Sequence, residues 1–336
     1  MKHTLNFPLI LSFFFLGSQI TAQGQKNAEI IELLINESLK NNPTMAQDIH
    51  SIVISQLGEP LYSQYFNQFT ADSLNNLKSI TKSMIGLLMG IALDEGYIQD
   101  VNQPMINFFT DCKLEEGQYE DKKSITIKNL LQMKSGIEWN NRALIKDQWW
   151  FNENPHCFLL REFNMDTIPG TKFSYNSAVA HLLSGIISRS TGKSTLEFAI
   201  DHIFEPLNIK AYRWDKDHQG EYYGNSELYL KPTDLLLIGQ MLLNNGVHNG
   251  KQIVAKHWIK EIQDNAFDAN SVMNYGYLWM TSKTKTPYFF FAGGSGGQHL
   301  FIAPEKNIVL VTTAHWNNAR STMEIMQLGA KLINEL

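Results

Sequence analysis

The sequence predicts an α+β fold: an antiparallel β-sheet formed by both chain ends and flanked by helices, with a mainly helical lobe inserted between. Three observations carry this. Near the start, Ile52-Val53-Ile54, a turn at Gly58-Glu59-Pro60 and Leu61-Tyr62 form a hairpin pattern. The last 65 residues hold several short strand patterns separated by brief turns, a spacing that suits antiparallel neighbours. Between these ends the apolar residues recur at helical spacing.

The first element is not part of the fold. Met1-Lys2-His3-Thr4 precedes an apolar stretch from Leu5 to Gly17, and Ala22 follows a short polar segment. A positive start, a short apolar core and a small residue at its end are the marks of a secretory signal. The stretch is shorter than the roughly 20 residues a transmembrane helix needs. Cleavage after Ala22 is expected, so residues 1–22 are assigned to the signal and 23–336 to the mature domain, exported to the periplasm or secreted. With Lys2 removed, 27 basic residues face 33 acidic ones.

Lys26 to Lys40 reads as an amphipathic helix, with Ile30, Ile31, Leu33, Leu34 and Leu39 apolar. After the hairpin, Thr81 to Leu93 is a helix stopped at Gly96. Thr126 can cap a short helix over Ile127 to Met133. Ser177 to Thr191 is a further apolar helix, closed by Gly192. Thr233 to Leu243 and Lys256 to Gln263 also read as helical. Strand patterns follow at Tyr275 to Trp279, Tyr288 to Phe291, Gln298 to Ala303 and Ile308 to Thr313. A last helix spans Ser321 to Leu336. The sheet lobe is therefore placed at about 45–75 and 255–336, and the helical lobe at about 76–254.

Composition removes several function classes. The 336 residues are 43% hydrophobic and 18% charged, with 28 Lys+Arg against 33 Asp+Glu. That apolar content excludes wholesale disorder. No basic stripe is present to neutralise phosphates, so no nucleic-acid partner is expected. No later apolar run reaches 18 residues, so no membrane association is expected after signal cleavage. Neither CxxC nor HExxH spacing occurs, and no metal or other cofactor is implied. Cys112 and Cys157 can bridge in an oxidising compartment or remain free thiols.

Two segments carry possible nucleophiles. In Ser79-Ile80-Thr81-Lys82 a serine opens a long apolar helix and a lysine follows three residues on, which puts both side chains on one face. The positive helix end and its N–H groups suit an oxyanion. The same spacing at Ser190–Lys193 and Ser282–Lys285 lacks that context: one pair lies at a helix end, the other in a turn. Taken alone, Ser79 can equally be a capping serine beside a solvated lysine. Gly293-Gly294-Ser295-Gly296-Gly297 matches a nucleophile elbow, but that elbow needs a following helix, and Gln298 to Ile302 reads as a strand. A glycine-rich turn between strands is the better reading. Trp149, Trp150, Trp279, Tyr277 and Tyr229 are candidate pocket aromatics, more simply core. His181 and His202 fall in helices and read as structural, while His299 and His315 lie near the sheet motif.

Three motifs occur in order: Ser79-Ile80-Thr81-Lys82-Ser83, Phe173-Ser174-Tyr175-Asn176-Ser177 and Phe291-Ala292-Gly293-Gly294-Ser295-Gly296-Gly297. With Val101-Asn102-Gln103-Pro104, Glu205-Pro206-Leu207 and Pro232-Thr233-Asp234-Leu235, the chain resembles the serine β-lactamase-like hydrolases over roughly residues 45 to 320. These include class C β-lactamases, related esterases and 6-aminohexanoate-dimer hydrolases. The resemblance implies a β-lactamase/transpeptidase-like fold. It also implies acyl transfer to a small-molecule ester or amide, with Ser79 as nucleophile and Lys82 and Tyr175 in proton transfer. Counting from Gly296-Gly297 puts the second oxyanion N–H at Gly294. The family's Y-x-N asparagine falls at Ser177, leaving Ser177 and Asn176 as candidate substrate contacts. The third motif's usual basic residue is Phe291 here. A noncatalytic penicillin-recognising sensor is the alternative, and the oligomeric state stays open.

Overall fold

A computed structural model describes residues 22–139, 144–270, 273–283, 286–315 and 319–336. The expected export signal, apart from Ala22, lies outside the described residues, as does Lys285. The sheet runs through β1 (Ile49–Gln56), β2 (Glu59–Tyr65), β3 (Phe267–Asp268), β4 (Met273–Gly276), β5 (Trp279–Ser282), β6 (Phe290–Gly294), β7 (Gln298–Ala303) and β8 (Ile308–Ala314). Its spatial order is β2-β1-β8-β7-β6-β5-β4-β3, antiparallel throughout. The two chain ends meet one strand in from the β2 edge, where Val53 of β1 lies opposite Val311 of β8. The α+β prediction therefore holds, and the join between the termini is a full strand ladder.

Both faces are covered, and the strand period of two sorts the residues between them. On β8, Val309 and Val311 join the inner core while Ile308 and Leu310 join the outer one. The outer face lies under α1 (Ala22–Asn41) and the C-terminal Ala319–Glu335 helix, through Ile31, Ile35, Ile325, Leu328 and Leu332. On the inner side lie α2 (Ile80–Asp94), α3 (Ser177–Thr191) and α4 (Pro232–Leu243). Every residue from Ile80 to Ala92 is buried, so α2 is apolar all round and occupies the centre. The sequence places α4 in the helical lobe, but it packs directly on β8 and β7. Gly239 permits this: a Cβ there would stand 2.4 Å from Val309 Cγ1 and 2.7 Å from Leu300 Cδ1.

Two details depart from the expectation, and one open alternative is resolved. The single strand expected at Tyr275 to Trp279 is two strands, broken by Tyr277 and Leu278 at φ 47° and 67°. Tertiary bonds impose that turn over β-propensity: Ser83 Oγ donates to the Leu278 carbonyl at 2.7 Å, and Leu278 N donates to the Leu131 carbonyl at 3.0 Å. A small second sheet joins Asn75–Asn76, Leu228–Leu230 and Tyr212–Trp214, segments too short to show a pattern of their own. Cys112 and Cys157 are joined in a disulfide, which settles the two alternatives left open above. No described helix is long and apolar enough to cross a membrane.

Candidate active site

Ser79 enters α2 from the small sheet. Leu77 N donates to the Leu228 carbonyl at 2.8 Å, and Lys78 N donates to Asn76 Oδ1 at 2.9 Å. Lys78 sits at φ 50°, a sparsely populated region for a side chain of its size, and its ammonium lies 3.7 Å from Glu227. The turn is thus anchored at both ends. Ser79 directly precedes the helix and makes no side-chain capping bond. Its Oγ accepts instead from Lys82 Nζ at 2.9 Å. Lys82 is 2% exposed, and its Nζ also donates to the Asn225 carbonyl at 2.8 Å.

Tyr175 completes the cluster. Ser174 N donates to the Met133 carbonyl at 2.9 Å, fixing the approach to α3. The Tyr175 ring centroid lies 5.2 Å from Lys82 Nζ, within cation–π range. Its side chain stays open to solvent, at 37% exposure. Tyr275 meets it edge-on at 6.1 Å. Burial first, and the neighbouring Tyr175 second, push the Tyr275 phenol well above its ordinary value, so Tyr275 remains a neutral wall.

Gly294 closes the arrangement from the sheet. A Cβ there would meet the Leu77 carbonyl at 2.4 Å and Lys78 Cβ at 3.1 Å, so the end of β6 presses on the turn that carries Ser79. β6 pairs with β7 along its length but with β5 only at Phe290 and Phe291. Gly293-Gly294-Ser295-Gly296-Gly297 is a strand-to-strand connection, with Gly296 and Gly297 at positive φ.

The other sequence candidates separate. Asn176 is fully buried, and its Oδ1 caps α3 by accepting from Ala178 N at 2.9 Å and Val179 N at 3.4 Å. That oxygen is therefore spent on the helix, while the buried Nδ2 has no hydrogen-bond partner among the described residues. Ser177, the first residue of α3, remains partly exposed. Phe291 packs in the outer core against Phe301, ring centroids 5.4 Å apart, so no cation stands at that motif position. Trp149, Trp279 and Tyr277 are core, while Trp150 stacks on Tyr223 at 4.3 Å. Tyr229 packs under the Arg213 guanidinium. His299 is buried against Thr312 Oγ1 at 3.1 Å, and burial pulls its pKa down to about 4. His202 pairs with Glu95 at 3.1 Å, and His315 is exposed.

Sequence reasoning missed Asn225. Its carbonyl holds Lys82 from 143 residues away, and its buried Oδ1 has no hydrogen-bond partner among the described residues. The nearest available signal was the Gly224-Asn225 pair ahead of a short strand. Among the described residues one His/Cys/Asp/Glu group is close enough for a metal, Asp111 with Cys112 and Cys157, but both sulfurs are spent in the disulfide. The remaining arrangement offers a hydroxyl, a buried amine and an open phenol side by side, a set suited to nucleophilic acyl chemistry.

Comparison with known proteins gives the same picture from a different direction. The Beta-lactamase family model matches residues 43–330. The 6-aminohexanoate-dimer hydrolase of Paenarthrobacter ureafaciens is 24% identical, across 77% of this chain and 71% of its own. A Bacillus anthracis structure named provisionally as a 6-aminohexanoate-dimer hydrolase superposes with TM-score 0.76 at 22% identity, covering 90% of this chain and 80% of its own. EstCE1, a hydrolase with promiscuous acyltransferase activity, superposes with TM-score 0.71 at 12% identity, covering 92% of this chain and 99% of its own.

Proposed function

The chain belongs to the beta-lactamase family, and from that premise we propose that it is an exported serine hydrolase that cleaves ester or amide bonds through an acyl-enzyme on Ser79. One observation carries the reading: the buried Lys82 amine in contact with the Ser79 hydroxyl at 2.9 Å. Free serine is a weak nucleophile and needs a partner to take its proton. Ser79 Oγ attacks the carbonyl carbon, and its proton passes to the Lys82–Tyr175 pair. The N–H groups of Ser79 and Gly294 hold the oxyanion. Collapse expels the alcohol or amine with that proton. Water then attacks the acyl-enzyme, and the acid leaves.

The substrate class follows from what the third motif lacks. A lysine or arginine there would pair with the carboxylate of a β-lactam, and Phe291 is buried in the outer core instead. Uncharged esters and linear amides are the better fit. The names of the relatives, a 6-aminohexanoate-dimer hydrolase and an acyl-transferring hydrolase, support both. Export is supported by the signal-like residues 1–22 and by the Cys112–Cys157 disulfide, a bond that persists in oxidising compartments.

Fluorophosphonate labelling with peptide mapping tests the reading, and the label is expected on Ser79. Ser79→Ala should lower turnover of a short p-nitrophenyl ester on the order of 10⁴-fold or more with the melting temperature retained. Full activity in that variant refutes the assignment. Efficient nitrocefin hydrolysis without ester hydrolysis refutes the substrate class. Stable β-lactam labelling without turnover of any ester or amide would favour a penicillin-recognising sensor.

A further inference from the structure

Lys82 is held from behind by the Gly224-Asn225 loop, and that loop is held in turn by a buried acid–imidazole pair. Gly224 N donates to His181 Nδ1 at 3.2 Å. A backbone N–H only donates, so Nδ1 must be the ring nitrogen with the lone pair. The ring proton then sits on Nε2, which faces Asp217 Oδ2 at 2.9 Å. Both side chains are fully buried. Asp217 Oδ1 accepts from Gln219 N and from Glu221 N, each at 2.9 Å, so the carboxylate is itself immobilised. On the far side of the same loop, the Asn225 carbonyl accepts from Lys82 Nζ at 2.8 Å. The loop has no slack toward α3, because a Cβ on Gly224 would stand 2.2 Å from the Ala180 carbonyl oxygen. His181 lies in the helix that Tyr175 precedes, so both approaches to Lys82 refer to one rigid element.

We propose that Asp217 and His181 are positioning residues for the reaction: Asp217 sets the tautomer of His181, whose Nδ1 anchors Gly224 and thereby holds the Asn225 carbonyl against Lys82. This deepens the serine-hydrolase reading and rests on Lys82 carrying the proton of Ser79. Size alone does not explain the arrangement. An asparagine at 217 fills the same space, but its amide group would donate to Nε2. The ring proton would then move to Nδ1, where it opposes the Gly224 N–H. An asparagine at 181 does the reverse, since its Oδ1 can replace the Nδ1 acceptor without any tautomer to set.

The test uses the full-length protein, a p-nitrophenyl ester and ¹⁵N-histidine labelling. Asp217→Asn should lower kcat about 10- to 100-fold with KM within about twofold, the scale of a misplaced catalytic group. His181→Phe should lose as much, whereas His181→Asn should keep kcat within about fivefold of wild type. Asp217→Asn placed on His181→Asn should cost little more than His181→Asn alone. An Asp217→Asn kcat within twofold of wild type, or additive losses in the double variant, overturns the proposal. Should the variants fail to fold, the ¹⁵N shifts of His181 in the wild-type protein decide. A protonated Nε2 with a bare Nδ1 upholds the proposal, and the opposite tautomer or a doubly protonated ring at pH 7 ends it. Failure of the serine probe to label Ser79 would remove the hydrolase reading and leave the tautomer result standing, so the two failures are distinguishable.

Discussion

Gly294 has no room for a side chain, and the obstacle is backbone. Its missing Cβ would meet the Leu77 carbonyl at 2.4 Å, two residues ahead of Ser79. A methyl group there can be accommodated only by moving β6 or the turn that carries the nucleophile. Gly294→Ala should therefore lower kcat by about 10- to 100-fold, because small displacements of reacting groups are costly. The fold should lose only about 1–3 kcal/mol, the usual cost of one overpacked site. Kinetics paired with urea denaturation separate the two effects, and wild-type kcat in this variant would mean the contact does not set the site. At this scale the sequence was legible where the chemistry is local. Ser79 and Lys82 are three residues apart on one helix, and Gly294 stands in a glycine run. Asn225, Asp217 and His181 were not legible, because their roles arise from contacts between distant segments: Asn225 touches Lys82 across 143 residues and His181 touches Asp217 across 36.

Among the elements, the disulfide joins two short pieces that also pack into the inner core, through Phe109 on one side and Leu159 and Leu160 on the other. Cys112 ends a three-residue 3₁₀ turn and Cys157 lies in the eight-residue helix Pro155–Glu162. Arg161 adds a bond from that helix to the Cys112 carbonyl. Closing the chain across a separation of 45 residues removes unfolded-state entropy worth about 4 kcal/mol in the chain-entropy estimate, with measured effects often smaller. Cys112→Ser with Cys157→Ser should thus lower the unfolding free energy by about 2–4 kcal/mol, read from the urea midpoint of the wild-type and variant proteins. Equal midpoints would show that the bond constrains nothing that folding has not already ordered. Element identity was largely readable from pattern. The helix Ser177–Thr191 follows from its apolar spacing and closing glycine, and the strands of the C-terminal sheet follow from short strand-like runs separated by brief turns. The turn at Tyr277-Leu278 was not readable, since its residues favour strands and only bonds to Ser83 and Leu131 bend them.

For the whole molecule, burial lowers the pKa of three of the buried histidines, which lie in different parts of the fold. His299 lies on β7, His50 on β1, and His156 against α3, where the ring of His181 and the Arg189 charge add to the effect. Folding therefore takes neutral imidazoles out of water, while the unfolded chain can protonate them near the ordinary value of 6.5. Below that pH the unfolded state binds more protons than the native state, so stability falls as pH falls. For His299 the window runs from 6.5 down to about 4, where the native ring titrates as well. Over that window its contribution to the loss is about 3 kcal/mol. Carboxylates titrate mainly near pH 4, so the upper part of the window, from 6.5 to 5, belongs chiefly to the histidines. The unfolding free energy from urea titrations should accordingly be flat from pH 8 to 7 and decline between 6.5 and 5. His299→Gln should decline less steeply over that interval than wild type, whatever its stability at pH 7. Parallel slopes for the two proteins would mean that His299 is hydrated in the native state and that the outer core, where its ring stacks on Phe301, is wetter than its packing implies.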